Sequence, residues 1–257
     1  MKAYYYIFLF LLSGCSTAYI PSPKNIPLFE KKGEVQAELG ISTNSIYATG
    51  GYAFSDKYAL ISNASMSFSN FSKIYDFGPD LPYVEFDILP MPSGFFAHRS
   101  IEAGVGHFNR KPSSTWKHEM FTGIGYGAAD EGDDWKNRYL QGFVQRNTGK
   151  RSKHFEIAWS FRLAGSYFDY KYPFSDYSSG IGQDVIFHKN FGAVHAEHVT
   201  LIGFGGKQMK GFVRGGFNIA YPFLSNNDEY KTIWLSRGGY WNFTMFHLSV
   251  GLNYRFK

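Results

Sequence analysis

Apolar and polar residues alternate with a period of two along most of the chain after Gly33. The clearest run is the last, in which Phe246, Leu248, Val250, Leu252, Tyr254 and Phe256 alternate with polar or small residues. Strict alternation over this length predicts strands with one apolar and one polar face. No stretch has the spacing of an amphipathic helix. The pattern therefore predicts an all-β chain.

The alternating runs predict about ten strands, within a range of eight to twelve. They lie near 33–41, 46–54, 58–68, 97–108, 116–128, 137–147, 153–167, 191–205, 209–221 and 242–256. Several are about 10 to 13 residues long, which is enough for a tilted strand to cross a membrane. In the eighth predicted strand, the sequence of residues 195–204 does not show which face points inward.

The connections between these strands differ in length in a regular way. If the first strand runs outward, the periplasmic connections are 55–57, 109–115, 148–152 and 206–208, and all are short. The third, seventh and ninth connections, 69–96, 168–190 and 222–241, are long and lie on the outer side. This asymmetry is typical of outer-membrane barrels.

The first two of these outer segments are rich in aromatic and acidic residues. They either recognise a protein or glycan ligand or pack together over the barrel mouth.

The polar face of the strands indicates which side points inward. It carries many glycines, which suit a crowded interior, and opposite charges that could pair there. The candidate interior charges are Glu34, Glu38, Glu102, Glu156, Arg162, Arg214 and Arg255. Aromatic residues lie at strand ends, as expected at membrane–water interfaces. We therefore predict an antiparallel up-and-down transmembrane β-barrel whose interior is filled by side chains, since wide channels need about 16 strands.

The first residues have the pattern of an export signal. Lys2 is followed by an apolar run, 3–12, that is too short to span a bilayer as a helix and is predicted to be cleaved. The sequence Leu12-Ser13-Gly14-Cys15 resembles the lipobox of bacterial lipoproteins. The resemblance implies cleavage before Cys15, a diacylglycerol on its thiol and an acyl chain such as palmitate on its amine. Several chains hold a protein on a membrane stably.

A proline-containing segment separates this signal from the strands. Pro21, Pro23 and Pro27 favour an extended tether. The predicted organisation is a signal peptide over 1–14, a lipidated tether over 15–32 and a barrel domain over 33–257. Ser16 stands where enterobacterial lipoproteins retained in the inner membrane carry Asp, and no acidic surface-export tag follows. We expect the anchor in the periplasmic leaflet of the outer membrane, with both termini periplasmic.

The C-terminal strand carries a second resemblance. Its ending, Tyr254-Arg255-Phe256, resembles the terminal strand of bacterial outer-membrane barrels, which the assembly machinery reads. Lys257 after the Phe departs slightly from that pattern. Tyr254 and Phe256 are the implied assembly signal. With the lipobox, the chain resembles small lipidated outer-membrane barrel proteins of Bacteroidota, a resemblance that implies an architecture but no particular activity.

Composition narrows the classes of function. Aromatic residues make up 19% of the 257 residues, and there are 28 glycines, which fits short strands on a barrel better than a helical enzyme. The formal charge of +5 is not clustered, so no nucleic-acid partner is predicted. Cys15 is the only cysteine, which excludes an internal disulfide. Outer-membrane lipid is the expected partner, and the oligomeric state is not predicted.

Motifs for metal or nucleotide chemistry are weak. His195, Glu197 and His198 offer two ligands on one strand face, short of the three or four a metal usually needs. The glycine-rich stretches 123–127 and 203–207 lack the Gly-Lys-Ser/Thr of a phosphate loop. We predict no cofactor, no metal and no catalytic residue.

Three hypotheses remain from the sequence. The first is a non-enzymatic barrel lipoprotein with a structural or binding role through its outer loops. The second is a lipid-modifying barrel enzyme that would use a His–Ser pair, such as His154 with Ser160 or His247 with Ser249. The third is a soluble, lipid-tethered periplasmic binding barrel, whose apolar face would point inward.

Overall fold

The computed structural model describes residues 22–42, 45–67, 97–109, 115–131, 135–176, 183–223 and 246–256. These ranges contain ten strands. They are β1 (Val35–Ser42), β2 (Ser45–Tyr52), β3 (Tyr58–Ser67), β4 (Ala97–Asn109), β5 (Trp116–Glu131), β6 (Trp135–Arg151), β7 (Phe155–Asp176), β8 (Gln183–Gly205), β9 (Met209–Phe223) and β10 (Phe246–Phe256). The predicted all-β class and the number of strands are confirmed.

The sheet closes on itself. Every strand pairs antiparallel with its neighbours in the chain, and β1 pairs with β10 in a register that sets Val35 opposite Phe256 and Ser42 opposite Ser249. Closure pairs the two strands that would otherwise be free edges. The protein is an up-and-down β-barrel, as the sequence predicts.

The two ends of the barrel differ. Connections 53–57, 110–115, 152–154 and 206–208 lie at one end, which we call the short-turn end, and β10 also finishes there at Phe256. Connections 43–44, 68–96, 132–134, 177–182 and 224–245 lie at the opposite end, which we call the long-connection end. Of the predicted outer loops, 69–96 and most of 222–241 lie outside the described ranges.

One predicted outer loop is largely a hairpin. β7 has 22 residues and β8 has 23, and they stay paired from Phe155 opposite Phe204 as far as Asp176 opposite Gln183. The connection is therefore 177–182, and the prediction of a loop over 168–190 is wrong for most of that length. The sequence hides these strand ends because strict alternation requires one apolar face, and the exposed residues that follow Tyr167, Asp169 and Lys171, are charged.

The apolar face of the barrel points outward and the polar face inward. On β10, Leu248, Val250 and Leu252 are 51–57% exposed, whereas Ser249 and Asn253 are 3% exposed. This is the arrangement predicted from the sequence, and it reverses that of a water-soluble barrel. The structure also shows which face of β8 points inward, since alternate residues from His195 to Leu201 are buried inside the barrel.

The apolar exterior has clear limits in height. Aromatic side chains surround it near the short-turn end: Tyr52, Phe54, Tyr58, Trp116, Phe155, Phe204, Tyr254 and Phe256. Towards the other limit, Arg99, Arg138, Asp169 and Asn190 are exposed polar residues on the outer face. Between these limits β7 is mainly apolar outside from Phe155 to Tyr167, a height of about 30 Å at ~3.3 Å per residue and a tilt of ~40°. That height matches the hydrocarbon core of a bilayer.

Interior glycines make room for aromatic rings from the adjacent strand. A Cβ on Gly127 would lie 2.1 Å from Cζ of Tyr139, and one on Gly40 would lie 2.5 Å from Cζ of Tyr47. The outward-facing Gly142 has no atom within 4 Å of such a position. Glycine on the polar face therefore serves close packing of the interior.

Candidate functional site: the filled lumen

Part of the chain that precedes β1 lies inside the barrel. Residues 22–29, which we call the lumenal segment, are all buried, and Lys24, Asn25, Ile26 and Leu28 are 0% exposed. The sequence predicts a tether over 15–32. In the described part of that range, 22–32, there is no strand, and 22–29 lie in the lumen. Cys15 lies outside the described ranges, so its lipidation and the boundaries at 14 and 32 stay predictions.

The lumenal segment enters at the short-turn end. There Gly33 N donates to Ala53 O at 2.7 Å, and Lys32 N lies 3.5 Å from Asp56 Oδ1 in the β2–β3 connection. Glu30 N donates to the carboxylate of Glu34 at 2.7 Å. Burial at this mouth raises the pKa of Glu34 above its ordinary value, although that hydrogen bond acts in the opposite direction.

Wall residues bind the backbone of the lumenal segment at several points. Phe29 N donates to Glu119 Oε1 at 2.7 Å, and Arg255 donates to the carbonyls of Pro27 and Leu28. Leu28 has a φ of 51°, in the left-handed region that a side chain with a Cβ rarely adopts. A backbone conformation of this kind persists only where the surroundings impose it. The segment is therefore held in one defined path.

Apolar side chains of the segment meet apolar patches on the inner wall. Ile26 and Leu28 pack with Val199, Leu201 and Phe212. Phe29 joins a second cluster with other inward-facing residues, among them Ile61, Phe108, Phe121 and Phe143. Burial of a large apolar side chain contributes roughly 1.5–3 kcal/mol. The lumenal segment therefore covers apolar side chains of the inner wall.

Deeper in the lumen, the segment reaches a buried cluster of charges. Lys24 Nζ pairs with Glu197 and donates to Ser22 O at 2.8 Å. Arg162 Nη1 donates to both carboxylate oxygens of Glu102 at 2.9 Å, and its Nε lies 3.8 Å from Glu197. Two cations and two carboxylates leave no net formal charge. Buried ions are tolerated when they are paired in this way.

Neutral side chains complete the cluster. Gln145 Oε1 accepts hydrogen bonds from Arg162 Nε at 3.0 Å and from Nη2 at 2.7 Å, and Asn63 Nδ2 donates to Glu102 at 2.8 Å. Gln145 also donates to Asn25 O at 2.7 Å, so the same residue binds the wall arginine and the lumenal segment. The Arg162 guanidinium lies 4.0 Å from the centroid of the Phe143 ring, a favourable cation–π distance.

The other predicted interior charges also lie inside the barrel. Arg214 pairs with Glu38 at 2.6 Å, and both side chains are fully buried. Nearer the short-turn end, Arg255 lies 4.0 Å from Glu34. There Glu156 lies 3.4 Å from Arg151, a partner that the sequence analysis does not name. Lys24 and Glu197 were also not predicted as interior charges.

The other residues singled out by the sequence lie at the end of β10 and in the middle of β8. Tyr254 and Phe256 lie on the outer wall with ring centroids 4.6 Å apart, and their role in assembly stays a prediction. His195 and Glu197 face inward, and His198 points outward. Within the described ranges, no group of three or more His, Cys, Asp or Glu is arranged to hold a metal ion.

The two His–Ser pairs are not organised as catalytic pairs. His154 is exposed in the β6–β7 connection, whereas Ser160 is buried and its Oγ has no hydrogen-bond partner among the described residues. Ser249 Oγ lies 3.2 Å from the Tyr47 hydroxyl, and within the described ranges neither ring nitrogen of His247 has a hydrogen-bond partner. A nucleophilic serine needs a base within hydrogen-bond distance, and neither pair supplies one.

Similarity to known proteins is found among solved structures, and not among protein-family models or curated proteins. No protein-family model matches the chain, and no curated protein matches it. Among solved structures, the chain is similar to the outer membrane protease OmpT from Escherichia coli, with 9% identity over 88% of this chain and 94% of that chain and a TM-score of 0.46. Nothing about activity follows from this likeness.

Two further solved structures are more distant. One is the translocator domain of autotransporter NalP from Neisseria meningitidis, with 10% identity, 87% of both chains and a TM-score of 0.16. The other is a loop L8 deletion mutant of OmpT, an outer membrane protein of Vibrio cholerae, with 6% identity, 87% of this chain, 97% of that chain and a TM-score of 0.16. In the part of the chain that the structure describes, no helix is long and apolar enough to cross a membrane.

Proposed function

We propose that this protein is an outer-membrane β-barrel lipoprotein, lipidated at Cys15, that is sealed by its own N-terminal segment. Its role is structural or binding and is exercised through the connections at the long-connection end. The observation that supports the proposal combines two features: the exterior of the barrel is apolar, and its lumen is filled by residues 22–29 of the same chain. The first feature requires lipid around the barrel, and the second argues against an open pore.

The orientation follows from the connections. Short connections are periplasmic in outer-membrane barrels, so the short-turn end, with Phe256, faces the periplasm. β7 continues for seven residues beyond Asp169, where the apolar exterior ends, and β8 stays paired with it over that length. These seven residues raise the hairpin by about 18 Å above the membrane surface. A rigid hairpin of this kind would carry connection 177–182 away from the bilayer as a recognition surface for a protein or glycan.

Membrane insertion can be tested without the lipid anchor. Cys15→Ala, exported with an ordinary cleavable signal, removes the acyl chains and leaves the barrel unchanged. We expect the protein to stay in the outer-membrane fraction after a sarkosyl or urea wash and to migrate differently on a detergent gel before and after heating. Recovery of a folded, soluble protein from the periplasm would overturn the membrane barrel and favour a lipid-tethered soluble barrel.

Closure of the lumen needs a separate experiment. Native protein in planar bilayers should show no steady conductance, whereas a variant lacking residues 22–29 should conduct ions through the emptied lumen. Heat-modifiable migration of the variant controls for folding. If the deletion does not fold, Lys24→Met combined with Phe29→Ala loosens the segment while leaving the chain intact. Steady conductance of the native protein, or a folded deletion that stays closed, would refute the sealing.

A further inference from the structure

We propose that the short-turn end of the barrel binds the phosphate group of a phospholipid from the adjoining leaflet. The phosphate lies in a charged pocket at the mouth of the lumen, and the lipid tails lie along an apolar groove on the outer wall. The inference rests on the proposed outer-membrane barrel, which sets this end at the periplasmic face. It deepens that proposal because it names a class of lipid that the barrel recognises.

The pocket, which we call the mouth pocket, lies where the lumenal segment enters the barrel. It has a volume of about 270 Å³, and its lining comes from the chain just before β1, the ends of β6 and β10, and the β6–β7 and β8–β9 connections. Its charged lining residues are Glu30, Glu34, Arg151, Lys153, Lys207 and Arg255. Pockets that enclose drug-sized ligands measure roughly 300–1,000 Å³. The mouth pocket therefore suits one small group, such as a phosphate.

Cations outnumber carboxylates around the mouth pocket. Four of its charged residues are cations and two are carboxylates, which gives a net formal charge of +2. Residues in contact with these groups do not remove the excess. Lys117 lies 3.7 Å from Glu30 and adds one cation, and Lys210, which donates to Lys153 O at 2.9 Å, adds another. Glu156 adds one carboxylate. The charge cluster deeper in the lumen is neutral, whereas the mouth pocket is left positive and favours an anion.

Two arginines form the inner side of the mouth pocket. Arg151 Nη2 donates to Lys207 O at 3.3 Å, and the Arg255 guanidinium donates to the carbonyl oxygens of Pro27 and Leu28, so both side chains are held in place. Both are more than nine-tenths buried. Within the described ranges, Arg151 Nη1 and Arg255 Nε have no hydrogen-bond partner. Buried donors are normally hydrogen-bonded, and the planar donor fork of arginine matches phosphate oxygens. A phosphate would supply the acceptors that the protein does not.

Two lysines stand at the rim of the mouth pocket. Lys153 in the β6–β7 connection and Lys207 in the β8–β9 connection are both exposed. The backbone of these connections is fixed, because Gly205 N donates to His154 O at 3.0 Å and Gln208 O accepts from the backbone of β10 at 2.9 Å. The two ammonium groups therefore start from defined positions on either side of the opening, where they can attract an anion before it reaches the arginines.

The mouth pocket adjoins a groove on the outer wall, which we call the outer groove. The outer groove has a volume of about 680 Å³ and shares Lys207 and Gln208 with the mouth pocket. Its outward-facing residues, Met209 and Tyr254, are exposed and lie opposite each other in the β9–β10 register. Aromatic side chains of this kind mark the membrane–water interface, where lipid phosphates lie. A free phosphate would use only the pocket, whereas a phospholipid fills the pocket with its phosphate and the groove with its tails.

Native mass spectrometry of the full chain in a neutral detergent tests the inference. Phosphatidylglycerol and diacylglycerol are the probes, because they share the same tails and only the first carries a phosphate. We expect a one-to-one complex with phosphatidylglycerol and little or none with diacylglycerol. Lys153→Ala/Lys207→Ala removes both rim cations and should weaken phosphatidylglycerol binding by at least about tenfold, since each lysine near an anionic lipid contributes a factor of about five. Equal binding of the two lipids would overturn the inference.

A matched variant controls for the loss of charge. Lys32→Ala/Lys57→Ala removes two exposed lysines at the same end that do not line the mouth pocket, and it should bind phosphatidylglycerol as the parent does. Equal weakening in both double variants would show a diffuse attraction and refute the pocket. Inorganic phosphate in large excess should leave the lipid complex intact, and its displacement of the lipid would assign the pocket to free phosphate and overturn the lipid site.

Failure of this inference is distinguishable from failure of the proposed function. Heat-modifiable migration confirms that each variant is folded. If Cys15→Ala protein is recovered soluble from the periplasm, the membrane barrel itself is wrong. If that protein stays in the outer membrane and Lys153→Ala/Lys207→Ala binds phosphatidylglycerol as tightly as the parent, only the lipid site is wrong.

Discussion

Removing the positive charge of Lys24 should destabilise the folded barrel because it unbalances the buried cluster. In the native protein, Lys24 and Arg162 offset Glu102 and Glu197, all four almost fully buried. Lys24→Met keeps the volume of the side chain and leaves the cluster with one net negative charge. Breaking a buried pair by removing one partner costs about 3–5 kcal/mol. At ~1.4 kcal/mol per factor of ten, the equilibrium constant for unfolding should rise by about two to three and a half orders of magnitude.

A second substitution, at Glu197, tests whether the net charge of the cluster is the cause. Glu197→Gln alone leaves one net positive charge and should also destabilise the barrel. The double variant Lys24→Met/Glu197→Gln has no net charge in the cluster. Its loss of stability should therefore be smaller than the sum of the two single losses by about 0.5–3 kcal/mol, the coupling expected of residues in direct contact.

The assay is urea unfolding of the full chain in lipid vesicles, with the folded fraction read from unheated gel migration. Lys32→Met is the matched control, because Lys32 is exposed at the barrel mouth, where only its backbone N–H makes the contact with Asp56. Its effect should stay within about 0.5 kcal/mol. Additive losses in the double variant, or equal stabilities for Lys24→Met and Lys32→Met, would show that Lys24 does not belong to the buried cluster.

Two further predictions concern packing and assembly. Gly127→Ala should lower the free energy of unfolding by about 1–3 kcal/mol, because its Cβ would overlap the ring of a neighbouring tyrosine. The control, Gly142→Ala on the outer wall, should be neutral or slightly stabilising. Equal urea midpoints for the two variants would refute the interior packing. If the outward pair Tyr254 and Phe256 is the assembly signal, replacing both by Ala should reduce the heat-modifiable protein recovered in the outer membrane, while Lys257→Ala should leave it unchanged; equal recovery of all three proteins would count against the signal.

Much of the barrel could be predicted because the membrane imposes the pattern that the sequence displays. Where strands contact lipid on one side, residues such as Leu248 and Val250 must be apolar, and their neighbours must be polar or small. The same logic identifies Glu38 and Arg214 as interior residues without any knowledge of the register. It does not extend to the distal ends of β7 and β8, where Asp169, Lys171 and Asn190 are exposed polar residues and the alternation of apolar and polar positions is lost.

The lumenal segment could not be placed from its own residues. A stretch with three prolines fits a tether outside the barrel as well as a path inside it. The signal lay on the inner wall, where the apolar residues Phe108, Phe121 and Val199 occupy inward positions among polar ones. Apolar side chains at such positions need an apolar partner, and Ile26, together with its neighbours, supplies one. The pairing of Arg162 with Glu102 depends on strand tilt and three-dimensional register, which sequence periodicity does not contain.

The central claim is that lipid surrounds the apolar wall, and one arginine substitution tests it most directly. Leu163 is 51% exposed on the outer face of β7, and Asp169 lies on the same face at the polar limit of the band. In vesicles, Leu163→Arg should lower the free energy of unfolding by about 2–4 kcal/mol, and Asp169→Arg by no more than about 1 kcal/mol. A Leu163→Arg protein as stable as the native one would contradict the account, because an exposed arginine costs nothing on a wall that faces water.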